Sequence, residues 1–137
     1  MRILICCLAL AACSQPAPRV ETEACVGEAR ERVVAQLYFG RNIGDEFGVD
    51  DEEWAAFVAA EVTPRFPSGF TVADAQGQWR DSDTQVIGRE PSKLLIVALA
   101  DEAGGRLALE EITEAYKRQF QQQGVLMVLE RSCVSYE

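Results

Sequence analysis

The sequence predicts a single α+β domain in which two helices cover one face of a four-stranded antiparallel sheet. Two observations lead to this prediction. Apolar residues make up 48% of the 137 residues, which is enough for the core of one domain. Four strand-like and two helix-like segments follow one another in the order β-α-β-β-α-β. This is the ferredoxin-like order, and it leaves the second face of the sheet open to solvent, a ligand or a partner.

The first strand and the first helix are predicted from composition and spacing. Residues 33–39, VVAQLYF, are rich in strand-forming residues and are followed by a glycine. Asp50 and Glu53 have the spacing of a capping box, which begins a helix. The apolar positions after them form one helical stripe: Trp54, Phe57, Val58 and Val62. Pro64 ends the helix, because the residue before a proline disfavours the α region.

A hairpin of two strands is predicted next. Residues 70–79 form the second strand, where the alternation is imperfect and Gly77 predicts a bulge. The segment DSD at 81–83 is the turn. Residues 85–100 form the third strand, with an interruption expected near Pro91.

The last helix and the last strand complete the order. We expect Gly104 and Gly105 to break the chain before a helix over residues 106–123, with Gly124 closing it. One face of this helix carries four apolar residues: Leu109, Ile112, Tyr116 and Phe120. Residues 125–130, VLMVLE, form the final strand.

The N-terminus has the pattern of a lipoprotein signal. One arginine precedes an apolar run of about ten residues that ends in LAAC, and such a run is shorter than the roughly 20 residues that span a bilayer. The alternative is a buried N-terminal strand or helix. The chain is predicted to divide into a signal peptide over residues 1–12, a lipidated Cys13 with its tether over 13–31, and a single α+β domain over 32–137. Ser14 after the lipidated cysteine favours the outer membrane, with the domain facing the periplasm.

The remaining cysteines predict a disulfide. Processing removes Cys6 and Cys7 and lipidation uses Cys13, which leaves Cys25 and Cys133. In an oxidising envelope compartment two such thiols pair. The alternative is a pair of free, buried thiols.

Charge and histidine content exclude several kinds of function. The chain has 22 acidic and 13 basic residues, a formal charge of -9, which argues against nucleic-acid binding. It contains no histidine, which excludes Ser-His-Asp and Cys-His nucleophiles and histidine-ligated zinc or haem. We expect no cofactor and no metal.

Several separated strings carry a family resemblance. They occur in the order LYFG, EWAAF, VTPRFPSGFTVADAQGQW, REPSKLLIV, AYKRQF and CVSY. Together they resemble an uncharacterised bacterial family of small secreted or lipid-anchored proteins, catalogued as domain of unknown function 3574. The resemblance covers residues 25–136. It implies an envelope location and a small α+β domain, and it implies no activity.

Polar residues on and beside the predicted hairpin form the candidate ligand-binding site: Arg65, Asp74, Gln78, Arg89 and Lys93. They can meet if the two strands pair across residues 80–85, because side chains two apart share a face. Two arginines and a lysine suit a small anionic ligand. The alternative is a structural network of salt bridges. Trp79 is expected to anchor the core or an interface rather than to stack on bases.

Two functions from different classes follow. The first is a non-enzymatic module, attached to the membrane by its lipid, that binds a small anionic ligand, a protein partner or a second copy through the open sheet face. The second is a tautomerase-like or lyase-like enzyme with Asp74 as base and Arg65, Arg89 or Lys93 stabilising an oxyanion. A concave pocket around Asp74 favours the enzyme. A flat surface with an ion-paired Asp74 favours the module, to which no catalytic residue is assigned.

Overall fold

The computed structural model describes residues 25–44, 46–80 and 82–136. The predicted signal peptide over 1–12 and the lipidation of Cys13 lie outside the described residues. The elements in chain order are β1 (Arg30–Gly40), β2 (Asn42–Ile43), β3 (Glu46–Phe47), α1 (Asp51–Phe57), β4 (Thr71–Arg80), β5 (Ile87–Ala98), α2 (Glu102–Phe120) and β6 (Leu126–Val134). A π-helical turn, Val58–Val62, extends α1.

The four long strands form one antiparallel sheet in the order β4-β5-β1-β6, and β2 and β3 form a small separate hairpin. In the centre of the sheet, Tyr38 of β1 pairs with Leu94 of β5 and with Leu126 of β6. The predicted α+β, ferredoxin-like architecture is confirmed.

Alternation along β1 directs every second side chain into the core beneath the helices: Val33, Ala35, Leu37 and Phe39. The predicted stripe of α2 packs on them, and all four of its members are buried. The ring centroids of Phe39 and Tyr116 lie 4.8 Å apart in an edge-to-face arrangement. The Tyr116 hydroxyl donates to the carbonyl of Gly40 at 2.8 Å, and burial raises its pKa far above the usual range. This aromatic contact joins α2 to the end of β1.

The glycine-based predictions about the ends of α2 are wrong. The helix already begins at Glu102, because Oδ2 of Asp101 accepts a hydrogen bond from the backbone N of Gly104 at 2.6 Å. A Cβ on Gly105 would lie 2.9 Å from Leu99, so glycine serves close packing here. The helix ends at Phe120, and Gln121 takes the left-handed cap with φ 53°, so Gly124 is not its C-cap.

The hairpin has neither the predicted bulge at Gly77 nor the interruption at Pro91. Its register runs unbroken from Thr71 paired with Ile96 to Arg80 paired with Ile87. The carbonyl of Pro91 accepts from the backbone N of Arg41 at 3.0 Å, just beyond the last paired residue of β1. The N–H and C=O of a strand residue point to the same side of the strand. The N–H that proline lacks would therefore point away from β4, and its absence at Pro91 removes no hydrogen bond to β4.

The predicted disulfide is present. Cys25 and Cys133 are bonded, their Cα atoms lie 5.5 Å apart, and they are 108 residues apart in sequence. The bond ties the segment before β1 to β6, which neighbours β1 in the sheet. Within the described residues, no helix is long and apolar enough to cross a membrane.

Candidate functional site

Two acids and two bases meet at one edge of the domain, in what we call the edge cluster: Arg41, Asp51, Asp74 and Lys93. Nζ of Lys93 lies 2.6 Å from Oδ1 of Asp74 and 2.9 Å from Oδ1 of Asp51. Asp51 also pairs with Nη2 of Arg41 at 3.0 Å. The capping box of Asp50 and Glu53 begins α1 at this point and so places Asp51 beside the sheet.

The edge cluster is neutral as a whole. The hydrogen bond from Lys93 and the charge of Arg41 lower the pKa of Asp51. Hydrogen bonds to Asp74 and Asp51 raise the pKa of Lys93. They outweigh the effect of burial, which lowers the pKa of this lysine because only 8% of the residue is exposed. Two positive and two negative charges therefore neutralise one another.

The predicted five-residue convergence does not form. Lys93 contacts Asp74, and Nε of Arg89 donates separately to Oε1 of Gln78 at 2.8 Å. Arg65 lies elsewhere, because its guanidinium pairs with Glu61 at 2.9 Å and with Glu111 of α2 at 3.1 Å. These contacts pin the end of α1 to α2. Nothing in them tests whether any of the five residues binds a ligand.

The open face of the sheet carries apolar side chains at its centre. Val34, Leu94 and Ile96 are half-buried there, and the Tyr38 hydroxyl donates to Oε1 of Gln36 at 2.9 Å. Leu126 at the margin is exposed. Self-association or docking of a protein partner through this face stays a prediction.

A cavity of about 610 Å³ lies where the open face meets the end of α2, and we call it the hairpin pocket. Three parts of the chain line it: the β2–β3 hairpin, the end of the β4–β5 hairpin, and the segment after α2. Its lining residues are Asn42, Gly44, Trp79, Thr84, Val86, Gly88, Glu90, Gln121, Gln122, Gln123 and Gly124. The volume falls in the range of roughly 300–1,000 Å³ that is typical of small-molecule sites.

Glycines make room for the two side chains that dominate this pocket. The indole of Trp79 lies over Gly88, where an added Cβ would be 2.8 Å from the ring. The carboxylate of Glu90 lies over Gly40, where an added Cβ would be 2.5 Å from Oε1. Trp79 is 46% exposed, so it does not anchor the core, and its expected role at an interface stays a prediction.

Hydrogen bonds connect the segments that line the pocket. Oε2 of Glu90 accepts from the backbone N of Asn42 at 3.2 Å. Nε2 of Gln122 donates to the carbonyls of Asn42 at 2.6 Å and Phe120 at 3.2 Å. The β2–β3 hairpin, β5 and the end of α2 are thereby tied together around the cavity.

The sequence reasoning missed the hairpin pocket, although a signal was present. Gly77, Gly88 and Gly40 all project to the open face, next to Trp79 and Glu90. Glycine inside a strand often marks a place where other groups approach the backbone closely. Three glycines on the open face of the sheet therefore indicated where large side chains lie against it. Among the described residues, no group of three or more Cys, Asp or Glu side chains could hold a metal ion.

Comparison with known sequences assigns the family. A family model described as "Protein of unknown function (DUF3574)" matches residues 34–136. The chain belongs to the DUF3574 family. No curated protein matches the sequence of this DUF3574 protein.

Solved structures share the fold of this DUF3574 protein. A phage SAM lyase in complex with S-methyl-5'-thioadenosine superposes with a TM-score of 0.60 at 13% identity, covering 77% of this chain and 90% of the lyase. The apo state of a phage SAM lyase gives 0.56 at 13% identity, covering 82% and 95%. At this identity the likeness shows the fold and assigns no residue.

Proposed function

We propose that this DUF3574 protein is a lipid-anchored bacterial envelope protein that binds a small organic ligand in the hairpin pocket without transforming it. The observation that carries the proposal is the pocket itself. It combines an indole and a carboxylate with several carboxamides in a cavity of about 610 Å³. Its lining is more polar than apolar, and convergent polar groups that fix the orientation of a ligand are a feature of ligand sites.

The envelope location draws support from two features of the chain. The LAAC sequence after an apolar run has the order of a bacterial lipoprotein signal. The Cys25–Cys133 disulfide is typical of oxidising compartments such as the periplasm. Ser14 after the acylated Cys13 favours the outer membrane.

An enzyme is the second candidate, favoured by the shared fold with the phage SAM lyases. The version that uses Asp74 as a base draws little support from the site. Its carboxylate accepts from Lys93 at 2.6 Å, and Asp74 does not line the hairpin pocket. Incubation with SAM, followed by mass spectrometry for S-methyl-5'-thioadenosine, tests the lyase. We expect no turnover above that of buffer alone.

Fluorine NMR of protein labelled with fluorotryptophan tests the binding proposal. The chain has two tryptophans, Trp54 in the core and Trp79 in the pocket, so each labelled protein carries its own reference signal. The probes are citrate as an anion, S-methyl-5'-thioadenosine as an uncharged nucleoside and choline as a cation. We expect at least one probe to move the Trp79 signal saturably and to leave the Trp54 signal in place. The proposal fails if all three leave the Trp79 signal unchanged.

A further inference from the structure

We infer that the ligand of the hairpin pocket is a small organic cation, held between the carboxylate of Glu90 and the indole of Trp79. The inference rests on the proposed function, because it names the ligand class of the same pocket. It also replaces the small anion that the sequence predicted at the five polar residues on and beside the β4–β5 hairpin.

Glu90 is the first observation. The side chain is half-buried, and among the described residues its carboxylate accepts a single hydrogen bond, from the backbone N of Asn42. No described lysine or arginine forms a salt bridge with it. The neighbouring Arg89 donates to Gln78, on the opposite face of the hairpin. A partly desolvated carboxylate without a counter-charge is stabilised when a cation binds beside it.

Trp79 is the second observation. It pairs with Gly88, while Gly77 pairs with Glu90, so Trp79 and Glu90 are diagonal neighbours on the same face of the hairpin. Diagonal positions in an antiparallel pair lie roughly 7–8 Å apart, within reach of long side chains. A cation seated between them contacts the carboxylate on one side and the indole on the other. Tryptophan is the aromatic side chain that attracts cations most strongly.

The other residues that line the hairpin pocket argue against an anionic ligand. Among the described lining residues, Glu90 is the one that carries a charge, and no lysine or arginine lines the cavity. The amide side chains of Asn42, Gln121, Gln122 and Gln123 supply hydrogen-bonding groups without charge. An anion entering this pocket would meet a carboxylate with no compensating base. The net charge of -9 also raises the local concentration of cations at the surface.

A matched pair of probes isolates the effect of charge. Choline and its uncharged carbon isostere, in which a carbon atom replaces the ammonium nitrogen, have nearly the same shape. Putrescine adds a protonated amine as a second type of cation. Each is titrated into fluorotryptophan-labelled protein, and the Trp79 signal gives the Kd. We expect the Kd for choline to be at least about tenfold lower than for the isostere.

Variants then assign the charge to one side chain. Glu90→Gln should raise the Kd for choline at least about tenfold while leaving weak binding of the isostere unchanged. Glu110→Gln, an exposed position on α2 with the same change of net charge, should bind choline as the wild type does. An unchanged Trp54 signal in each variant shows that the fold is kept. If Glu90→Gln does not fold, Glu90→Asp, which draws the charge back from the pocket, gives the same comparison.

The possible outcomes distinguish a failure of this inference from a failure of the proposed function. Two results would contradict a cationic ligand: equal affinity for choline and its isostere, or a Glu90→Gln variant that binds choline normally. Either result would leave the proposal that the pocket binds a small ligand intact. The same holds if S-methyl-5'-thioadenosine moves the Trp79 signal while neither cation does. If no probe moves it, both the inference and the proposed function fail.

Discussion

The ammonium of Lys93 on β5 lies 2.6 Å from the carboxylate of Asp74 on β4, and the two residues are direct cross-strand partners. Lys93 is nearly buried while Asp74 is exposed, so the ion pair links a buried ammonium on β5 to an exposed carboxylate on the edge strand β4. Asp51 at the start of α1 contacts the same ammonium. The edge cluster therefore fixes a helix terminus against two strands.

Replacing Lys93 with methionine tests this structural role. The methionine keeps the apolar stem and removes the charge, so both exposed acids lose a partner. Because those acids remain in water, we expect a loss of about 1 kcal/mol in the free energy of unfolding. Urea denaturation measures it. Lys117→Met on α2, where the lysine is more exposed than Lys93 and pairs with one acid, is the control and should cost less.

The lowered pKa of Asp51 predicts a dependence of stability on pH. The ionised form is favoured in the folded state, so its contribution is present above the unfolded pKa of about 3.9 and is lost as pH falls through the lower folded value. The stability difference between wild type and Asp51→Asn should therefore shrink between pH 7 and strongly acidic conditions. Urea titrations across that window measure it. A difference that stays constant with pH contradicts the assignment, and Glu52→Gln on the same helical turn is the control.

The disulfide between Cys25 and Cys133 should contribute strongly to stability. It closes a loop of 108 residues, and for loops of that size the chain-entropy model gives roughly 4–5 kcal/mol. We expect the Cys25→Ser, Cys133→Ser double variant to melt well below the wild type. Calorimetry with and without reductant measures this, since the reductant should lower the Tm of the wild type alone. Equal melting temperatures for the reduced and oxidised wild type would show that the bond is dispensable.

Acylation of Cys13 should anchor the protein. The LAAC pattern predicts cleavage before Cys13 and a lipid on its sulfur. Mass spectrometry of protein from the membrane fraction should show a lipid-bearing Cys13 as the first residue, and Cys13→Ser should release the protein from that fraction. An intact Met1, or a Cys13 without lipid, contradicts this.

The local patterns predicted the fold because they report on burial and capping. The alternation in β1, the stripe of α2 and the capping box at Asp50 each act within a few residues of sequence. The start of α2 was missed because glycine disfavours a helix interior, whereas the side chain of Asp101 stabilises this first turn.

The candidate site was harder to predict because its contacts join distant segments. Cross-strand pairing brings Asp74 to Lys93 and Gln78 to Arg89, but these are two separate contacts and not the single cluster that was predicted. The partner of Arg65 depends on how α1 packs on α2, which no local pattern encodes. The hairpin pocket needs the end of α2 beside the β4–β5 hairpin, and the residues that form it are up to 82 positions apart, from Asn42 to Gly124.

Mapping of amide NMR shifts during a titration with choline tests the central claim most directly, because it reports where a ligand sits. We predict saturable shifts at the backbone amides of Asn42, Gly88, Glu90 and Gln122, with little change at Asp74 and Lys93. These residues separate the hairpin pocket from the edge cluster on the opposite face of the hairpin. Shifts confined to the edge cluster, or no saturable shifts at the pocket amides, would contradict the account.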